Sequence, residues 1–87
     1  MIIELKNGDQ DYKQTMIAFL TLPADPSQGA TYDEVMAVAP LLERVQAAEG
    51  SIELTAEEHE LIVFRFRNGR YREISTGLYQ MLIDIVG

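Results

Sequence analysis

Glu57, Glu58, His59 and Glu60 form the densest run of proton-binding and metal-binding side chains in this sequence, and they include its only histidine. Zinc requires three or four ligands converging on one point, usually with histidine or cysteine among them. Four consecutive helical residues point around the helix instead. The zincin spacing would place a second histidine at position 63, which is Val63. The run therefore reads as a charged, solvated first turn, and His59 as a residue at the edge of the core. Ser27, Ser51 and Ser75 lack the Gly-x-Ser-x-Gly setting of an activated serine. No cysteine is present to act as a thiolate. No Gly-x-Gly-x-x-Gly or Walker pattern occurs. Fourteen acidic residues among 87 bring carboxylates together by chance, so a pair of them does not single out acid–base chemistry. We expect no catalytic residue, no metal and no cofactor, and no small-molecule substrate is evident.

A second cluster has binding rather than catalytic chemistry. Arg65, Arg67, Arg70 and Arg72 hold four of the seven basic side chains, interleaved with Phe64, Phe66 and Tyr71. Arginine makes bidentate bonds to carboxylate and phosphate. Interleaved aromatic rings would also suit stacked bases. The plainer reading is compensation of nearby glutamates, worth roughly 0–1 kcal/mol per exposed pair. The net charge of −7 disfavours nucleic acid and anionic lipid. An acidic protein partner is the better functional match.

The third candidate is apolar. Leu78, Met81, Leu82 and Ile85 make a clean helical stripe. Tyr79, Ile83 and Val86 widen it beyond what one small core needs. Large exposed apolar patches usually mark contact sites. The expected partner-binding set is therefore Arg65, Arg67, Arg70, Arg72, Tyr79, Ile83 and Val86, serving an unknown protein partner or self-association.

These residues must be positioned by a short chain. Residues 1–87 are expected to form a single small globular domain. A chain of this length buries only about 60–65% of its unfolded surface, so its stability is modest or helped by a partner. The composition, 47% hydrophobic and 24% charged, is globular. No signal peptide is evident, and no apolar run approaches the roughly 20 residues that span a bilayer. With no cysteine, the expected location is the cytoplasm.

The predicted fold class is α+β: three to four helices with a minor two-stranded β element. Ile2-Ile3-Glu4-Leu5 and Ser51-Ile52-Glu53-Leu54 echo each other and are expected to pair. Asn7-Gly8-Asp9 is a turn. Asp11 can cap a first helix bearing Tyr12, Met16, Phe19 and Leu20, although Met16 to Leu22 would also suit a buried strand. Pro23 ends that element. Thr31-x-x-Glu34 is a capping box, opening a helix expected to bury Val35, Val38, Ala39, Leu42 and Val45 and to stop at Gly50. Pro40 inside it predicts a kink or a split near Ala39. Ser75 is the expected cap of the last helix, about 76–86, with Ile74 and Tyr79 forming a hydrophobic staple. Gly77 in its first turn would cost about 1 kcal/mol unless something packs closely there.

Residues 63–74 admit two readings. Thr55-x-x-Glu58 is another capping box, giving a helix over about 56–67 stopped by a left-handed Asn68-Gly69. Alternatively, Val63 to Arg67 and Arg70 to Ile74 alternate at period two around Asn68-Gly69, the pattern of a β-hairpin. The cap favours the helix, because the hairpin leaves it unexplained.

Thr31 to Glu34, Leu54-Thr55-Ala56-Glu57-Glu58, Ile62, Tyr71 and Leu78 with Leu82 occur in an order that resembles small, mostly uncharacterised accessory proteins of tailed phages and prophages. The resemblance covers most of the length and implies no catalytic residues. It implies an accessory or assembly protein acting through protein contacts.

Overall fold

The computed structural model describes residues 1–87. Strand β1 (Ile2–Glu4) pairs antiparallel with β4 (Ser51–Glu53), with Ile3 opposite Ile52, as the echo between the two segments predicted. Alternation sets the faces: Ile3, Leu5, Ile52 and Leu54 are buried, and Ile2, Glu4 and Glu53 are exposed. A second, unforeseen sheet forms around the predicted turn. Strands β2 (Lys6–Asn7) and β3 (Gln10–Asp11) pair across Gly8-Asp9, with Gly8 at φ +61°. A positive φ is strained for residues with a Cβ, which is why glycine stands there.

Helix α1 (Lys13–Thr21) starts where Asp11 accepts the Lys13 amide at 2.9 Å. It buries Met16 and Leu20, so the strand alternative for this segment is not realised. Leu22 is extended ahead of Pro23, as proline requires of its predecessor. Helix α2 (Tyr32–Ala47) is capped by the Thr31 hydroxyl, which accepts from the Glu34 amide at 3.1 Å. It runs as one helix through Pro40 rather than splitting. Pro40 lies on the exposed side, where water can take up the carbonyl that a proline leaves unpaired. The buried face also differs from expectation. Val38, Leu41 and Val45 are buried, Leu42 is half-buried, and Val35 and Ala39 face solvent.

Helix α3 (Ala56–Arg67) decides the ambiguous segment: it is a helix, not a hairpin. Both halves of its capping box form, with Thr55 N donating to Glu58 Oε1 at 2.9 Å and Glu58 N to Thr55 Oγ1 at 3.2 Å. Its end is not the left-handed stop expected. Asn68 has φ −101°, and its side chain donates to the Phe64 carbonyl at 2.9 Å. The Tyr71 hydroxyl donates to the Phe66 carbonyl at 2.7 Å. Gly69 is needed for space instead, because a Cβ there would overlap the Phe19 ring. That ring packs between Phe66 and Tyr71, with centroids 4.8 and 5.3 Å away. Helix α4 (Thr76–Val86) starts at Ser75, whose hydroxyl accepts from Leu78 N at 3.1 Å. Ile74 is fully exposed, so the expected staple with Tyr79 does not form. At Gly77 a Cβ would lie 2.8 Å from the amide nitrogen of Gln10, the movable end of an exposed side chain, so the close packing expected there is not found.

One cluster of 14 buried hydrophobic residues draws on both members of the β1–β4 sheet and on all four helices. Within it, α2 packs on α1, and α4 packs on α3 and β1.

Candidate interaction surface

The acidic run at 57–60 is dispersed by its helix. Glu58 closes the cap and also meets Arg44, whose guanidinium donates in addition to the Glu53 carbonyl. The Thr55 amide and the Arg44 guanidinium hold the Glu58 carboxyl below the ordinary glutamate range. His59 is half-buried, with Nε2 donating to the Ile85 carbonyl at 3.0 Å, so it joins α3 to α4 at the core edge. Glu57 and Glu60 are exposed. No three histidine or carboxylate side chains converge as a metal site requires.

The four arginines divide. Arg65 is only 9% exposed, because Ile62, Arg65 and Phe66 lie on the inner face of α3. Its guanidinium meets Glu34 at 3.2 Å and donates to the Leu22 carbonyl. It ties α3 to the start of α2 and the end of α1, so it does not belong to an open arginine patch. The signal was in the sequence: position 65, three residues after Ile62, flanks that buried position on the helical wheel. Arg67, Arg70 and Arg72 are exposed and form no ion pair.

The structure brings two of those arginines to the widened stripe of α4. Met81 and Ile85 are buried in the core, whereas Tyr79 is 67% and Ile83 44% exposed, and Val86 is half-buried. A shallow groove of about 440 Å³ runs between the end of α3 and α4. Phe66, Tyr71, Leu82 and Val86 line it beside Tyr79 and Ile83, with Arg67 at its rim. A second depression adjoins it through Tyr71, Tyr79 and Leu82, with Leu78 and Ile74 beyond and with Arg72 and Glu73 at that end. Arg70 lines hollows beside Phe19, one of which adjoins that depression through Tyr71, Arg72, Glu73 and Leu78. Of the expected set, Arg67, Arg72, Tyr79, Ile83 and Val86 therefore line the groove and its adjoining depression, Arg70 borders them in the next hollow, and Arg65 is buried away from them. Phe66 read as a core residue and is one, 3% exposed, but that it and Tyr71 also border this groove was not foreseen.

No family model matches the chain, and no curated protein or solved structure is significantly similar to it.

A polar network fixes α4 from its other side. Asp84 accepts from the Tyr12 hydroxyl at 2.7 Å, from Gln80 at 3.0 Å and from Asn7 at 3.1 Å. The Tyr12 bond leads in holding the Asp84 carboxyl below its ordinary value, and burial raises the Tyr12 hydroxyl above its own. Burial likewise raises Tyr71. Ser27 lowers Asp25 through hydroxyl and amide bonds. Every one of these shifts moves away from neutral pH, where a general acid or base would need to titrate. No helix is long and apolar enough to cross a membrane.

Proposed function

We propose that the chain is a non-enzymatic protein–protein interaction module that docks through the groove between α3 and α4. The observation carrying this reading is the outer face of α4. Tyr79 and Ile83 stand in solvent beside Leu82 and Val86, continuous with Phe66 and Tyr71, and with arginine at the rim. Exposed tyrosine flanked by arginine matches the composition of interface hot spots, and the aliphatic residues beside it supply apolar contact area. Helix-in-groove recognition needs such a surface. Arg67 and Arg72 would orient the partner, and the α4 side chains would supply most of the buried area. The resemblance to phage and prophage accessory proteins supports a role exerted through contacts, and the lack of cysteine suits work in the cytoplasm.

Affinity capture from host lysate tests the reading, with Ile83→Asp and the pair Arg67→Ala/Arg72→Ala as controls. Arg67 and Arg72 are exposed and Ile83 is 44% exposed, so each variant should fold with at most a small drop in melting temperature, which thermal denaturation checks. We expect a captured protein that Ile83→Asp abolishes and the arginine pair weakens. Capture that is indifferent to Ile83→Asp means the groove is not the docking site.

A further inference from the structure

We propose that the occupant of this groove is the outer face of α2 from a second copy of the chain, joined head to tail. The proposal rests on the groove being a docking site and names what fills it. Helix α2 buries one face through Val38, Leu41 and Val45. The opposite side of a surface helix is normally polar. Here that side carries Tyr32, 77% exposed, and Met36, 58% exposed, one turn apart, followed by Ala39, Pro40 and Ala47, with Glu43 and Gln46 as its polar members. Nothing in the chain covers them. Anchors at i and i+4 on a helix are the pattern that helix-in-groove binding uses.

Charge selects the pairing. The free charges of this outer face are Glu43, within it, and Asp33, at its edge, because Arg44 is already bonded to Glu58 and the Glu53 carbonyl. The groove offers Arg67 and Arg72, with Glu73 its one carboxylate. Acidic face and basic rim are complementary, and such complementarity fixes register and excludes wrong partners. A groove facing its own copy across a two-fold axis would offer its two arginines only Glu73 as a carboxylate partner. The two surfaces are separate: no residue of α2 lines the groove, and Tyr32 and Met36 stand in solvent away from it. A copy therefore keeps one surface free after using the other. Unlike surfaces in contact generate a ring or an open filament rather than a closed dimer.

Complementation tests this arrangement. Ile83→Asp blocks the groove, and Met36→Asp blocks the α2 face. Both positions are exposed, and melting curves check that each variant folds. Mass is read by light scattering coupled to size exclusion over a wide range of protein concentration. Wild type should grow beyond two chains as concentration rises. Each variant alone should stay a monomer. Their equimolar mixture should form a species of two chains, because only one compatible pair of surfaces remains. Adding Arg67→Glu and Arg72→Glu to the groove-bearing chain should weaken that species, and Asp33→Lys with Glu43→Lys on its partner should restore it. A wild type that is monomeric throughout overturns the second-copy proposal and leaves the groove to another protein. A dimer that Ile83→Asp abolishes and Met36→Asp does not is a two-fold groove contact, which also overturns it. An oligomer that neither variant disturbs overturns both the proposal and the groove reading beneath it.

Discussion

Helices α2 and α3 open on the same four-residue signature, Thr31-x-x-Glu34 and Thr55-x-x-Glu58, yet only one capping box closes. Both threonine hydroxyls accept the expected amide, at 3.1 and 3.2 Å. Glu58 then returns to the Thr55 amide. Glu34 turns away, accepting from the Ala24 amide at 3.1 Å and pairing with Arg65. Magnitudes explain the difference. Thr31 is exposed, so water can satisfy its amide, and forfeiting a cap contact typically costs about 1 kcal/mol. Arg65 is buried, and a buried charge without a partner costs about 3–5 kcal/mol. Glu58 faces no such demand. Its arginine, Arg44, is exposed and meets it without leaving the cap. A local signature fixes where a helix begins, and the tertiary structure decides where its longest side chain goes.

The largest effect should come from breaking the two glutamate–arginine pairs in turn. Arg65→Ala or Glu34→Ala should lose about 2–4 kcal/mol, because each strands a charge in a poorly solvated place. Arg44→Ala should lose less than about 1 kcal/mol, as exposed pairs do. Urea unfolding of the singles and of both double mutants gives the coupling directly. Equal couplings for the two pairs would mean that burial does not separate them, and the explanation for the open box at Thr31 would go with it.

The same contrast shows what the sequence made legible. Helix starts at Thr31, Thr55 and Ser75 were readable because each cap is a contact within four residues. The β1–β4 pairing was readable because matching alternation marks both strands. What went unread depends on contacts far along the chain. The outward turn of Val35 and Ala39 follows from how α2 settles on α1, and periodicity alone allowed a face rotated by one position. Asn68-Gly69 has the composition of a left-handed turn, but Gly69 is there to admit Phe19, fifty positions earlier. In the candidate surface, Tyr79, Ile83 and Val86 were legible as surplus apolar area on one helix. Phe66 and Tyr71 were not, because the groove exists only once α3 and α4 lie side by side.

Intermediate effects should come from the threonines themselves. Thr55→Ala removes one half of a reciprocal pair and loosens the other, so a loss of about 1–2 kcal/mol is expected. Thr31→Ala removes a lone contact and should lose about 0.5–1 kcal/mol. In a domain of this size each kcal/mol lowers the melting temperature by roughly 4–8 °C, so thermal denaturation followed by circular dichroism resolves the two. A larger loss at Thr31 would show that its half-box matters more than the closed one.

The smallest effect is electrostatic and has a definite sign. The folded-state pKa of Glu58 is depressed, first by the Thr55 amide and then by Arg44. Its charge therefore stabilises the fold fully above the ordinary glutamate value of 4.5, and that contribution is lost as pH falls through the lower folded value. Glu58→Gln keeps a neutral acceptor at the cap and removes only the charge. It should lower stability near pH 7 by about 0.3–1 kcal/mol, the usual worth of a carboxylate in a first helical turn. Asp84 and Asp25 are also depressed, so wild type and variant should both weaken on acidification. The difference between them isolates Glu58. Their melting temperatures should converge as pH is lowered from about 7 to about 3, because the wild-type carboxyl becomes neutral as well. A gap that persists in acid would assign the effect of the substitution to cap geometry rather than to charge, and the closed box would then differ from the open one in shape alone.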